Sequence, residues 1–451
     1  MDGDVLPSKL LSRLSKAADL VRSHDNVHVF THYDADGLSS AGILANTLYR
    51  ADKEFVITTF TTLDEDNMQI IRECECDCII IADLGASYIK EIEALGKDVV
   101  VLDHHTLRDD SEVIAYANPH MFGVDGMVGA CGATMSFLFS VTYDENNWDL
   151  VQIAFGGITG DKQHLNGLVG FNEYLRTEGE RRGFIKTVSG SLIPSGVLSK
   201  SLYTSVEPYI RGVSGDQAAV MKMLEDASIS PDSQYVILSD DERRRLSSMI
   251  AVKLTEQGVT SATMFELTRA RYHLKDWGMD AETFAELLDA CGRMMLQGVG
   301  VAMCMGSRND LIKANELRNE YNKNILDAVV ALDKDGLRQM ENIQYLDSSS
   351  TGFTGVICGV AMRYFADPEK PTIGINSSED KVKLSARATN YLLDKGVDLA
   401  NALYLAAKSV GGEGGGHRIA SGGSIGLGSE EEFLRNLNDI IGEQINSARK
   451  Q

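Results

Sequence analysis

Short apolar runs recur through the first third of the chain, and three of them end on residues able to hold a cation. Val27, Val29 and Phe30 lead into His32, Asp34, Asp36 and Gly37, and similar runs occupy 55–60, 78–83, 98–103 and 113–117. Such runs, bounded by polar and glycine residues, predict buried strands. Between the first two, Leu38, Ala41, Leu44, Ala45 and Leu48 recur three and four apart, which predicts a helix over 38–50. Strand and helix alternating with short connections predict a parallel sheet, whose carboxyl edge is where α/β proteins bind ligands.

The pattern then changes. Segments 129–143 and 149–155 read as buried helices, and the apolar stretch 151–161 brings Asp161 in behind a glycine-rich turn. Gly, Ser and Pro gather over 183–215 and close the first domain. From 216 to 307 the period is helical, broken by a short apolar stretch at 235–238, with Arg243, Arg244 and Arg245 on a solvated face. A long polar helix is expected over 310–346. Strands follow at 353–361, 371–375 and 381–386, then a helix over 392–410. The expected fold is α/β, with a parallel-sheet catalytic domain (1–200), a mostly helical insertion (201–309), a connecting helix (310–346) and a smaller α/β domain (347–451) that forms a cleft with the first.

Composition adds limits. The chain has 451 residues, 43% hydrophobic and 24% charged, ordinary for a soluble globular protein. Its acidic start has no signal-peptide core and no apolar run is long enough to cross a membrane, so a cytoplasmic protein is expected. Seven cysteines, an odd number, argue against a disulfide framework. Cys74, Cys76 and Cys78 alternate into a strand and read as packing. A net charge of −22 argues against tight duplex binding without sequence preference.

The chemistry lies in the run ends. His32, Asp34, Asp36, Asp83, Asp103, His104, His105 and Asp161 converge on one sheet edge, where the carboxylates stay ionised together only around cations. Oxygen-rich ligation with a few imidazoles suits Mn²⁺ or Mg²⁺ better than zinc. His120 reads as a turn residue, and His164, just after Asp161, as a surface histidine or else a group supporting the ligands.

The ordered motifs HYDADG, IADLG, LDHH and GGITGD, with GGEGGGHRIASGG near the C-terminus, resemble the DHH phosphoesterase superfamily and its DHHA1 domain. Further stretches (NPHMFGVDG, GITGDKQ, PYIRGVSGD and LLDACGR) resemble the archaeal RecJ-like nucleases, including the GINS-associated nuclease. The resemblance implies a single-strand-specific exonuclease of DNA replication or repair with two divalent ions, Mn²⁺ preferred. One ion would lie on His32, Asp34 and Asp83, and the other on Asp36, Asp83, His104 and Asp161. Asp103 would orient His104, and His105 would face the substrate phosphate. Ser385, Arg387, Gly414, Gly415, Gly416 and His417 would bind the strand, His417 acting at the reacting phosphate, with Arg363 and Arg418 as further basic candidates. The implied partners are single-stranded nucleic acid and a GINS subunit, the latter bound by the helical insertion. Two other readings stand beside this one: an oligoribonuclease or dinucleotide phosphodiesterase, and a replisome scaffold with weak or no nuclease activity.

Overall fold

Five parallel strands form the first sheet of the computed structural model, which describes residues 6–349, 353–378 and 380–448. The first five residues, part of the acidic start, lie outside that description. Strands β1 (Asn26–His32), β2 (Glu54–Phe60), β3 (Cys78–Ala82), β4 (Asp98–Leu102) and β5 (Ala115–Ala117) run in the order β2-β1-β3-β4-β5. β3 is buried along its whole length, which explains its unbroken apolar run: a central parallel strand is covered on both faces. Phe30, Ile79, Ile81, Val99 and Val101 pack on one face with Met68, Ile71, Ile89 and Ile92.

Helices α1 (Ser8–Arg22), α2 (Ala35–Arg50), α3 (Glu65–Glu73), α4 (Ile89–Glu93), α5 (Gly132–Tyr143) and α6 (Val151–Gly160) connect and cover the sheet. The 151–161 stretch is therefore helical through its glycines, and Asp161 follows a helix rather than a turn. Those glycines weaken the helix but permit close approach: a Cβ on Gly157 would lie 2.3 Å from an oxygen of Asp36.

The chain divides into two compact units, Met1–Gly190 with Arg269–Tyr321, and Ser191–Thr268 with Asn322–Gln451. The division runs through the stretch expected as one helical insertion. Strands Arg271–Leu274 and Met279–Asp280 pair with Ile185–Val188 in the first unit. Helix Ala281–Arg293 packs on α2 and α6 and buries Phe284, Leu287 and Leu288. Its amphipathic period is visible in sequence, but which core it completes is not local information.

In the second unit, a six-stranded sheet runs in the order Glu413–Gly416, Ala420–Ile425, Val382–Arg387, Thr372–Ser377, Gln344–Asp347, Arg338–Gln339. Three expectations fail here. The 353–361 strand is a helix, Thr354–Tyr364, with Ile357, Cys358, Val360, Ala361 and Tyr364 buried at helical spacing; a short apolar run does not by itself distinguish the two periods. The 392–410 helix is two, Asn390–Asp394 and Leu399–Ser409, separated at Gly396, whose φ is +91°. The polar 310–346 stretch is helix Arg308–Asp335 followed by two short strands. Arg363 is bound within this unit by Glu207 at 2.6 Å and Glu266 at 2.9 Å.

Candidate metal centre

The parallel register brings His32, Asp83 and Asp103 to one edge, because β1, β3 and β4 end there. Asp34 caps α2: its Oδ1 accepts from the Asp36 and Gly37 N–H groups at 3.1 Å. That leaves its Oδ2, which lies 2.9 Å from His32 Nδ1. The other ring nitrogen of His32 donates to the Thr61 carbonyl at 3.2 Å. His104 repeats this arrangement. Its Nδ1 donates to the Gly126 carbonyl at 2.7 Å, and its Nε2 faces Asp83 Oδ1 (3.2 Å), Asp161 Oδ2 (3.4 Å) and Asp36 Oδ2 (3.7 Å). A backbone acceptor on one nitrogen fixes the tautomer that presents the other to a cation.

Asp83 stands between the two groups. Its Oδ1 faces His104, and its Oδ2 lies 3.7 Å from His32 Nδ1. Its backbone is left-handed, with φ +57°, and its N–H is tied to the Leu102 carbonyl at 2.9 Å. Asp36 is anchored from below: Gly132 and Ala133, at the start of α5, donate to its two oxygens at 2.7 and 2.8 Å.

Asp103 behaves differently from the others. It accepts from the N–H groups of Ala86, His104 and His105, and from the His105 ring at 2.8 Å. It therefore orients His105, not the imidazole of His104 as expected; Gly126 holds that ring. The backbone of a D-H-H turn brings both N–H groups to the aspartate, but only the second ring folds back onto it. His105 keeps about half its side chain exposed (53%).

The electrostatics match a site short of positive charge. Burial, then repulsion from Asp36, Asp34 and Asp161, pushes the Asp83 carboxyl well above its usual range. Burial and Asp36 push Asp161 up to about 7. Burial opposes charge on His104, but Asp161, Asp36 and Asp103 outweigh it and raise the ring to about 9. For His105, the hydrogen bond and charge of Asp103 overcome burial and raise it to about 9. Asp103 itself is held below the usual carboxylate range: burial acts upward, and the His105 bond and the two histidine charges outweigh it. Among the described residues, no Lys or Arg forms an ion pair with Asp34, Asp36, Asp83 or Asp161. The donor set therefore fits divalent cations: His32, Asp34 and Asp83 make one candidate group and Asp36, His104 and Asp161 another, with Asp83 Oδ1 3.2 Å from His104 Nε2.

Several participants carried no obvious sequence signal. The Thr61 and Gly126 carbonyls are backbone groups, and Gln163 steadies the latter at 2.9 Å. Gly132 is needed because a Cβ there would lie 2.5 Å from that of Asp83. His164, expected at the surface, is buried; its Nε2 lies 2.8 Å from Arg269, and burial with that charge lowers it to about 2.

In the second unit, Ser385 and Arg387 lie two apart on Val382–Arg387, and therefore on one face. Gly414, Gly415 and Gly416 belong to an edge strand rather than a turn, paired with Gly423, Gly422 and Ser421. His417 opens the turn that follows and is exposed. Because Arg387 pairs with Ala420, it and His417 share one end of the sheet.

The DHH family, N-terminal domain, matches residues 26–158, and the DHHA1 domain matches residues 342–443. An uncharacterized protein of Methanocaldococcus jannaschii is 31% identical over 448 residues, covering 97% of this chain and 98% of the relative. Among solved structures, RecJ in complex with Mn²⁺ from Thermus thermophilus is similar at TM-score 0.61 and 14% identity, over 97% of this chain and 55% of that one. CDC45 from Entamoeba histolytica is similar at TM-score 0.63 and 10% identity, over 96% and 99%. At these identities the two structures speak to the fold alone, which is RecJ-like.

Proposed function

This chain belongs to the DHH family and carries a DHHA1 domain, and on that premise we propose that it is a two-metal phosphodiesterase, a single-strand-specific exonuclease of the archaeal RecJ-like type acting in DNA replication or repair, with Mn²⁺ its preferred ion. The observation that carries the reading is Asp83, whose two oxygens face two separate sets of ligands. When bound, a pair of divalent ions supplies Lewis acidity to the phosphate and an activated water.

The chain's own groups do the rest. Asp34 and Asp36 are locked by backbone N–H groups, so the ligands are pre-placed. His105, held cationic by Asp103, donates to a non-bridging phosphate oxygen and steadies its growing charge. Ser385, Arg387 and the Gly414–Gly416 strand hold the nucleic-acid backbone, and His417 donates to the reacting phosphate.

End-labelled single-stranded DNA and RNA, incubated with Mn²⁺, test the reading against a blunt duplex and a dinucleotide. Stepwise shortening of single strands, abolished by chelator, is the expected result. Exclusive cleavage of the dinucleotide would transfer the assignment to an oligoribonuclease. Metal binding with no cleavage of any substrate would make the chain a scaffold.

For a GINS-type partner we assign the helical surface of Ser191–Thr268. Ile237 and Phe265 there are 72% and 74% exposed. Deleting 216–307 would remove Ala281–Arg293 from the catalytic core, so Ile237→Asp and Phe265→Asp are the sharper probes. Both should weaken capture of the partner; unchanged capture would place it elsewhere.

A further inference from the structure

Three cysteines alternate from the end of α3 to the start of β3, and they differ in what their sulfurs meet. Cys78 is buried, and burial with the neighbouring Cys76 pushes its thiol up to about 12. Cys76 is partly exposed and donates to two backbone carbonyls, Asn26 at 3.3 Å and Cys78 at 3.2 Å. Cys74 is partly exposed too, but its Sγ lies 3.2 Å from His28 Nδ1 on β1. The other ring nitrogen of His28 donates to Thr58 Oγ1 on β2 at 2.9 Å, and the ring stacks on Phe30 at 4.1 Å. Burial, then the charge of Lys97, holds His28 below the usual imidazole range, so its ring is neutral near pH 7. A neutral ring carries one proton; with Nε2 donating, Nδ1 is bare and faces the thiol. Lys97 donates to the Cys74 and Cys76 carbonyls, which sets an ammonium beside the segment, and a nearby cation favours a thiolate.

Packing accounts for Cys78, and backbone hydrogen bonds for Cys76. Neither accounts for an imidazole turned onto Cys74 alone and braced from behind by a hydroxyl. That is the order of nucleophile, base and orienting group by which a thiol is activated. The set stands apart from the metal centre, since His28 precedes His32 by four positions on β1, about 13 Å along the strand. We propose that Cys74 is a modification site, a nucleophilic thiol with His28 as its base and Thr58 orienting the ring, and that it reacts with hydroperoxides. Its side chain packs partly against the core under α3, which favours a small electrophile over a bulky disulfide. Sulfur attacks one peroxide oxygen, forming an S–O bond as the O–O bond breaks. Two electrons pass from sulfur to the leaving oxygen, which takes the thiol proton through His28 and departs as water or an alcohol. Cys74 is left as a sulfenic acid. The proposal stands independently of the phosphodiesterase reading.

The test uses the full-length protein with Mg²⁺, which takes no part in redox chemistry. Hydrogen peroxide is added with dimedone, which traps sulfenic acids, and fragment mass spectrometry reads Cys74 and Cys76 separately. Cys74 should be trapped about ten- to thirtyfold faster than Cys76, because an unassisted thiol is only a few per cent ionised at about pH 7. His28→Phe, which keeps an aromatic ring beside Phe30 and removes the base, should bring Cys74 down to the rate of Cys76. Thr58→Val should lower the Cys74 rate severalfold and leave Cys76 unchanged. Equal trapping of the two cysteines in the wild type would overturn the proposal, as would a difference that survives denaturation. A wild-type Cys74 rate in folded His28→Phe would overturn it too. Should melting curves show that His28→Phe does not fold, Thr58→Val decides, and an unaltered Cys74 rate there rejects the assignment.

Discussion

The closest test of the metal centre is a single methyl group. Gly132 opens α5, donates its N–H to Asp36, and faces Asp83 with its Cα. In Gly132→Ala the new Cβ would lie 2.5 Å from the Asp83 Cβ and 2.9 Å from its Oδ1. Carbon atoms in contact sit about 3.5–4.0 Å apart, so α5 or Asp83 must move by about 1 Å. Both are constrained, α5 by packing on α1, α2 and α6, and Asp83 by its bond to Leu102 and its left-handed backbone. Overpacking of this kind costs about 1–3 kcal/mol, which lowers Tm by about 2–4 °C per kcal/mol in a unit of this size. The metal should suffer separately. Shifting Asp83 disturbs both of its oxygens, and a loss of about 1.4 kcal/mol already weakens Kd about tenfold. Melting curves and Mn²⁺ titration by calorimetry read the two effects independently. Gly298→Ala is the control: it lies in helix Gln297–Cys304 with open space around it, and should gain about 0.5–1 kcal/mol. Wild-type Mn²⁺ affinity in Gly132→Ala would refute the claim that Asp83 is positioned by the start of α5.

Three further outcomes are expected. In the metal-free protein, the raised carboxyl of Asp161 and the raised ring of His104 contribute stability that is fully present below their unfolded values and lost as pH rises through about 7 and about 9; metal-free melting temperatures should therefore fall from about pH 5 to about pH 9, and Mn²⁺ should reverse the fall by displacing those protons. His164, lowered to about 2, contributes in the opposite sense, its stability present above pH 6.5 and lost as pH drops; His164→Gln should flatten the acid limb of a melting-temperature profile, and an unchanged limb would exclude this origin. Arg387→Ala should raise KM for single strands more than it lowers kcat, whereas His417→Ala should lower kcat with Mn²⁺ binding intact.

The strand ends were legible because short buried strands have a simple apolar signature and a fixed polarity: once β1, β3 and β4 are parallel neighbours, His32, Asp83 and Asp103 must share an edge. What escaped was whatever depends on partners distant in sequence. Gly132 and Gly157 look like weak helix residues until Asp83 and Asp36 stand against them. Helix Ala281–Arg293 reads as part of an insertion until its apolar face is found on α2 and α6. Asp103 holds the other imidazole from the one expected, because two adjacent histidines offer the same chemistry and only ring direction separates them. The 353–361 segment failed for a different reason, since its apolar and small residues satisfy either period.

Asp83 also bears on the fold's history, apart from catalysis. A side chain other than glycine in the left-handed region is strained, and here it also carries a carboxyl that burial and three like charges disfavour. Both penalties fall on the fold, and divalent ions relieve only the second. A descendant that kept this architecture for assembly alone would become sturdier with Gly or Asn at position 83. Loss of the aspartate would then be downhill for stability, whatever it did to metal binding.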